Sequence, residues 1–108
     1  MSDPQQCQVI TATDSRVVAE TLADTAVARL AASAQVAGPV RSTYRWQGEV
    51  VAAEEWRVTF RTTVTRYAEL EEHIRARHNY DAPGIVSVPI VAGHTPYLEW
   101  IAAETQER

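Results

Sequence analysis

Apolar and polar positions change their spacing repeatedly along the chain, and each change marks an element. Cys7-Gln8-Val9-Ile10-Thr11-Ala12-Thr13 is rich in β-branched residues and reads as a strand. Thr13, Asp14 and Ser15 then offer helix N-caps. From about Arg16 to Ser33 the spacing becomes helical. Val18, Leu22, Ala26 and Leu30 recur at every fourth position on one face, with Arg16, Glu20, Asp24 and Arg29 mostly elsewhere. The many alanines favour helix and permit close packing on a sheet. Gly38-Pro39 breaks this pattern, and the residues beyond it alternate with the period of a strand. Arg41, Thr43 and Arg45 fall on one face, and Ser42, Tyr44 and Trp46 on the other.

Gln47-Gly48 supplies a turn, and a second arm runs from about Val50 to Thr63. Strands usually run to roughly five or six residues, so this hairpin is overlong and predicts edges that need a partner. Thr65 is a candidate cap for a second helix, about Arg66 to Arg77, with Leu70 and Ile74 facing inward. A loop through Pro83-Gly84 leads to the apolar segment Ile85 to Val91, where Pro89 implies a sheet edge or bulge. Thr95-Pro96 is read as an N-cap followed by proline at the first helical position of a last helix. The order is β-α-β-β-α-β-α. It predicts an α+β, ferredoxin-like split βαβ sandwich with a C-terminal helix and a long β-hairpin.

Length and composition narrow the possibilities. The 108 residues suit one domain, expected over residues 7–108 after a disordered leader at residues 1–6. A net charge of −4 argues against a nucleic-acid binder, which would carry a basic face. All 10 basic residues are arginine, so a Schiff-base lysine or a Walker-type phosphate loop is excluded. The single Cys7 has no partner for an internal disulfide and no neighbouring base, which predicts an inert thiol in a chain that suits a reducing compartment or is indifferent to redox state. No apolar run is long enough for a membrane span, and the cytoplasm is the expected location.

Five short motifs carry a more specific likeness. Arg41-Ser42-Thr43-Tyr44-Arg45-Trp46-Gln47-Gly48 resembles the Ser-x-Tyr-x-Trp-x-Gly signature of the divalent-cation tolerance (CutA) family. Glu54-Glu55 with Arg61-Thr62-Thr63 resembles that family's acidic pair followed by Lys-Thr. Arg77 to Pro83 is similar to its His-Pro-Tyr-x-x-Pro loop. Ala31-Ala32 stands where the family ends its first helix in Ala-Ala-Cys, and Tyr97-Leu98-Glu99-Trp100 matches its Tyr-Leu-x-Trp helix start. The motifs run in order from about Val9 to Ile101. The resemblance implies a non-enzymatic homotrimer associated with tolerance of divalent metals. Its clefts would lie between subunits, formed by the hairpin and the His78 to Pro83 loop and lined by Trp46, Arg61, His78 and Tyr80. It also implies a divalent metal, copper or zinc, yet several family donors are replaced. Ile10, Ser33, Arg77 and Gly84 stand where cysteine, cysteine, histidine and glutamate occur in members, Asn79 replaces a proline, and Arg61 a lysine.

His78 is the one imidazole of that set still present, and the candidate metal ligand. One imidazole alone is a poor Zn or Cu site, so Glu54, Glu55, His73 or a neighbouring subunit would have to complete it. The plainer reading is a loop histidine held by a hydrogen bond. Arg41, Arg45 and Arg61 raise a second possibility, since guanidinium groups gathered in a cleft between subunits suit a small anionic metabolite. Against it stands ion pairing with Glu49, Glu54 and Glu55 along the hairpin. Tyr44, Trp46 and Trp56 either line a ligand cleft or, as the more ordinary reading, pack between hairpins. An enzyme would have to use His78 as base and Tyr80 as acid, and no nucleophile-base-orienter set is legible.

Overall fold

The computed structural model describes residues 3–106, so Met1 and Ser2 of the expected leader lie outside the described residues. The chain forms β1 (Gln6–Thr13), α1 (Arg16–Val27), β2 (Ser33–Trp46), β3 (Glu49–Thr63), α2 (Tyr67–Arg77), β4 (Ile85–Pro89) and α3 (Thr95–Glu104). The four strands make one antiparallel sheet in the order β2-β3-β1-β4. This is the mixed α+β arrangement read from the sequence.

One face of the sheet is covered. Cys7, Val9, Val58 and Phe60 point from β1 and β3 into a layer built by Ala19, Leu22 and Ala26 of α1 and by Leu70 and Ile74 of α2. Ser15 is the cap of α1, its Oγ accepting from the Val18 backbone N–H at 3.2 Å. Facing pairs follow from the register: Val9 lies across from Phe60, and Phe60 across from Ala34. At the end where β1 begins, α3 is tied down by the Gln6 side chain, which donates to Leu98 O at 3.0 Å. Arg66, itself buried, donates through Nε to Thr105 O at 2.7 Å.

Several boundaries differ from the sequence expectation. Helix α1 stops at Val27, although the apolar spacing continues to Leu30. Leu30 and Ala31 stay buried, but Thr62 Oγ1 donates to Leu30 O at 2.7 Å and Ala32 N to Arg61 O at 2.8 Å. Bonding to the sheet thus outweighs the alanine preference for helix, which is below about 1 kcal/mol per residue. Strand β2 consequently starts at Ser33 and runs through Gly38-Pro39 rather than after it. Thr65 does not cap α2: it lies within a 3-10 turn at Val64–Arg66, and its hydroxyl sits 3.2 Å from that of Thr63. Helix α3 begins at Thr95 itself, with His94 in the cap position. The last strand ends at Pro89, on the sheet edge that its missing N–H tolerates.

The hairpin arms are 14 and 15 residues long. Gln47 and Gly48 close them with φ of 50° and 81°, the two positive values that a two-residue hairpin turn matching strand twist requires. Midway, the ladder passes from Ala37 opposite Arg57 to Val40 opposite Glu55, so Gly38 and Pro39, joined by a cis peptide, together face one residue of β3. This bulge inverts the faces of β2 beyond it. Ser42, Tyr44 and Trp46 therefore join the uncovered face of the sheet with Glu55, while Arg41, Thr43 and Arg45 turn to the other side.

Candidate functional site

The uncovered face carries a cleft of about 760 Å³ lined by Ile10 and Ala12 of β1, Tyr44 and Trp46 of β2, Glu55 of β3, and Tyr80 and Asp81 of the loop before β4. Each wall has a local cause. Alternation places Ile10 and Ala12 opposite in sense to the buried Val9, Thr11 and Thr13. The bulge delivers the two aromatic residues, and the loop is strapped across the end of β1. In that strap Asn79 Nδ2 donates to Asp14 Oδ1 at 2.7 Å, Thr13 Oγ1 donates to Asn79 Oδ1, and Thr11 Oγ1 donates to Gly84 O at 2.7 Å.

His78 ends α2 and belongs to the same strap. Its Nε2 lies 2.9 Å from Ala12 O, and a carbonyl only accepts, so Nε2 carries the proton. Its Nδ1 accepts the Tyr80 backbone N–H at 3.0 Å. Both ring nitrogens are thereby committed, and neither lone pair is available to a metal. In this chain the histidine fastens the loop to the end of β1. Of its suggested helpers, Glu55 lies in the same region but accepts from the Tyr80 hydroxyl, and the other two are elsewhere. Glu54 faces the other side of the hairpin in register with Arg41, and His73 packs on α1 with Nε2 at 2.8 Å from Thr25 Oγ1. No group of three or more His, Cys, Asp or Glu side chains placed to hold a metal occurs among the described residues. The residues present in one chain do not fit the implied metal.

Burial, with help from the nearby Arg77 and Arg29 charges, lowers the His73 pKa below its usual value. The unfolded chain then binds a proton more readily than the folded one between the depressed value and about 6.5. Stability from this group is therefore full above about pH 6.5 and is lost as the pH falls through the folded pKa. Denaturation midpoints between pH 5 and 8 should show this decline, and His73→Gln should flatten it; an unchanged slope would remove His73 as its source.

Tyr80 and Glu55 form the polar floor of the cleft. The Tyr80 hydroxyl donates to Glu55 Oε2 at 2.6 Å, and Glu55 is only 8% exposed. Burial first, and the bond to Glu55 second, push the Tyr80 pKa well above the usual tyrosine value. The phenol thus keeps its proton and donates it in a hydrogen bond to the Glu55 carboxylate. Tyr80→Phe leaves the buried carboxylate without its partner and should cost about 1.5–3 kcal/mol. Chemical denaturation of the two proteins would show it, and a difference under about 0.5 kcal/mol would mean that water replaces the phenol.

The six residues singled out from the sequence separate into two sets. Trp46 and Tyr80 meet in the cleft, and His78 braces it from behind, its ring centroid 4.8 Å from that of Tyr80. Arg61 shares the uncovered face but stands in register with Gln8 and Ser33, where its Nε donates to Gln8 Oε1 at 3.2 Å. Arg41 and Arg45 lie on the opposite side of the hairpin, in register with Glu54 and Val50. The expected gathering of three guanidinium groups does not occur within one chain, because the bulge inverts β2 between them. Glu55 is the residue whose part in the site sequence reasoning missed; the sequence offers it only as a metal helper or ion-pair partner. Its partner Tyr80 lies 25 positions away, beyond any local signal.

Comparison with known proteins agrees with this fold. The family model described as CutA1 divalent ion tolerance protein matches residues 7–104. The divalent-cation tolerance protein CutA of Thermus thermophilus is 39% identical over 90% of this chain and 95% of its own. The solved structure of the Thermus protein superposes with a TM-score of 0.91 at 37% identity, covering 94% of this chain and 99% of that one. A chloroplastic CutA protein of rice is 34% identical over 73% of this chain and 45% of its own length. The Archaeoglobus fulgidus structure, named a periplasmic divalent cation tolerance protein, has a TM-score of 0.89 at 27% identity, with 94% and 99% of the two chains covered. This chain belongs to the CutA1 divalent ion tolerance protein family.

Proposed function

We propose that the protein is a non-enzymatic homotrimer, one domain per chain over residues 7–108, that serves tolerance of divalent metals. Family membership over residues 7–104 carries this reading. The trimer is further supported by the hairpin, whose exposed flanks include Trp46 at 60% and Val50 at 64%. The outer strands β2 and β4 also offer unpaired edges to a neighbouring copy. A cytoplasmic location accords with the single buried thiol of Cys7. Among the described residues no helix is long and apolar enough to cross a membrane. Metal tolerance of this kind does not run through His78 of a single chain, whose nitrogens are both engaged. Light scattering at micromolar concentration should give three times the chain mass, and a single-chain mass would sink the trimer. Calorimetry with copper or zinc should give equal heats for the parent and His78→Ala; heat lost in the variant would restore His78 as a ligand.

A second reading, a carrier or regulatory module for a small anionic metabolite, requires Arg61 of one chain to meet Arg41 and Arg45 of another across an interface. The position of Arg61 on the uncovered face is what favours it.

A further inference from the structure

Arg66 carries more donor capacity than its neighbours use. It is only 7% exposed, and it donates through Nε to Thr105 O at 2.7 Å and through Nη1 to Glu69 Oε1 at 2.8 Å. Its Nη2 has no hydrogen-bond partner among the described residues, although buried polar groups are normally bonded. Arg29 Nη2 stands 3.6 Å from Oε2 of the same Glu69, so two guanidinium groups share one carboxylate. One positive charge is left over beside them.

Both arginines line a second cleft, of about 390 Å³, where the end of α1, the 3-10 turn at Val64–Arg66 and α3 meet. It takes no residue from the hairpin and opens among the helices. A further wall belongs to α3, where Trp100 and Glu104 are four positions apart and share one face. The Trp100 ring stacks on Tyr97 with centroids 5.8 Å apart, yet the residue is 42% exposed. Val27 and Ala31 add aliphatic surface to the same space.

That lining disfavours simple ions and suits a dipolar one. An inorganic anion on the arginines would meet the Glu104 carboxylate. A metal ion would meet two guanidinium groups and find neither imidazole nor thiolate. A purely apolar molecule would seal Arg66 Nη2 from water without giving it a partner, which is costly. A zwitterion answers both charges. Its carboxylate matches the planar donor fork of a guanidinium. Its ammonium suits a carboxylate and an indole face together, and a carboxylate has lone pairs for several donors at once.

We propose that this cleft binds a free amino acid with an apolar side chain. Arg66 Nη2 and Arg29 hold its carboxylate, Glu104 takes its ammonium, and Trp100 and Val27 cover its side chain. The volume falls in the usual range for a small-molecule site. This binding adds to the metal-tolerance reading and does not rest on it.

Phenylalanine, phenethylamine and 3-phenylpropanoate share one ring and differ in which charges they carry. Each would be titrated calorimetrically into the full-length protein at neutral pH and constant ionic strength. Phenylalanine should bind saturably, and each single-charge analogue at least about tenfold more weakly. Glu104→Gln should bring phenylalanine down to the level of 3-phenylpropanoate. Arg29→Gln changes a side chain that is 71% exposed, and should weaken phenylalanine by about tenfold while leaving phenethylamine unchanged. Trp100→Ala should weaken all three ligands by about tenfold. Arg66 is left intact, because it also ties down α3. The proposal fails if phenylalanine does not saturate, if either analogue binds as tightly, or if Glu104→Gln keeps the preference for phenylalanine over 3-phenylpropanoate. It also fails if Trp100→Ala or Arg29→Gln binds phenylalanine like the parent. Light scattering should give every variant the parent's mass; a lower mass for Trp100→Ala would show that a neighbouring chain covers this wall, and would equally overturn the proposal.

Discussion

Replacing Phe60 by alanine should lower the unfolding free energy by about 3–5 kcal/mol, the usual cost of deleting a large core side chain and leaving a cavity. Phe60 is fully buried and sits in the middle strand pair, flanked in register by Val9 and Ala34 and covered by both helices of the layer. Few neighbours can close over the gap, because β1 and β3 are fixed by the ladder on either side. Domains of this size are stable by only about 5–15 kcal/mol, so the variant would sit near the edge of folding. Urea denaturation at matched protein concentration provides the measurement, the match being needed because association itself adds stability. A loss below about 1 kcal/mol would mean that the core is not centred between the sheet and these two helices.

Gly38→Val should be almost as damaging, by about 3 kcal/mol, for a different reason. A Cβ placed on Gly38 would stand 2.6 Å from Trp56 Cδ1 and 3.0 Å from Glu55 O. The backbone at the bulge lies against an indole, and either the ring or the strand must move to admit a side chain. The variant should melt earlier, and its Trp56 environment should change in near-ultraviolet circular dichroism. Unchanged stability would mean that the bulge yields freely and does not fix the hairpin.

How much is legible in the sequence depends on the range over which each feature is decided. Leu22, Leu70 and Ile74 announce themselves through helical spacing, and Cys7 and Val9 through alternation, because burial acts on a whole face at once. The end of α1 does not, since Leu30 continues the apolar period while its carbonyl is claimed by Thr62, 32 residues on. Thr65 is a capping residue type, but the chain enters α2 through a tighter turn. At the candidate site, the residue types Trp46, His78 and Tyr80 draw attention to one region, where the fold brings them together. Their roles are set by contacts across 66 and 25 positions, His78 to Ala12 and Tyr80 to Glu55, which no local pattern contains. The arginines mislead because alternation is visible only within each arm, and the arms do not keep step.

That loss of step gives the bulge a meaning beyond shape. Paired without it, the same residues would point Arg41 and Arg45 into the cleft and send Tyr44 and Trp46 outside. One strand thus holds two surfaces of different chemistry, a guanidinium one and an aromatic one, and the phase at which it rejoins its neighbour decides which of them faces the cleft. The selector is Gly38, which does not line the cleft but leaves room beside Trp56 for the strand to slip by one place. Electrostatic identity in this hairpin is therefore a matter of timing along the strand, kept by a residue with no charge and no side chain.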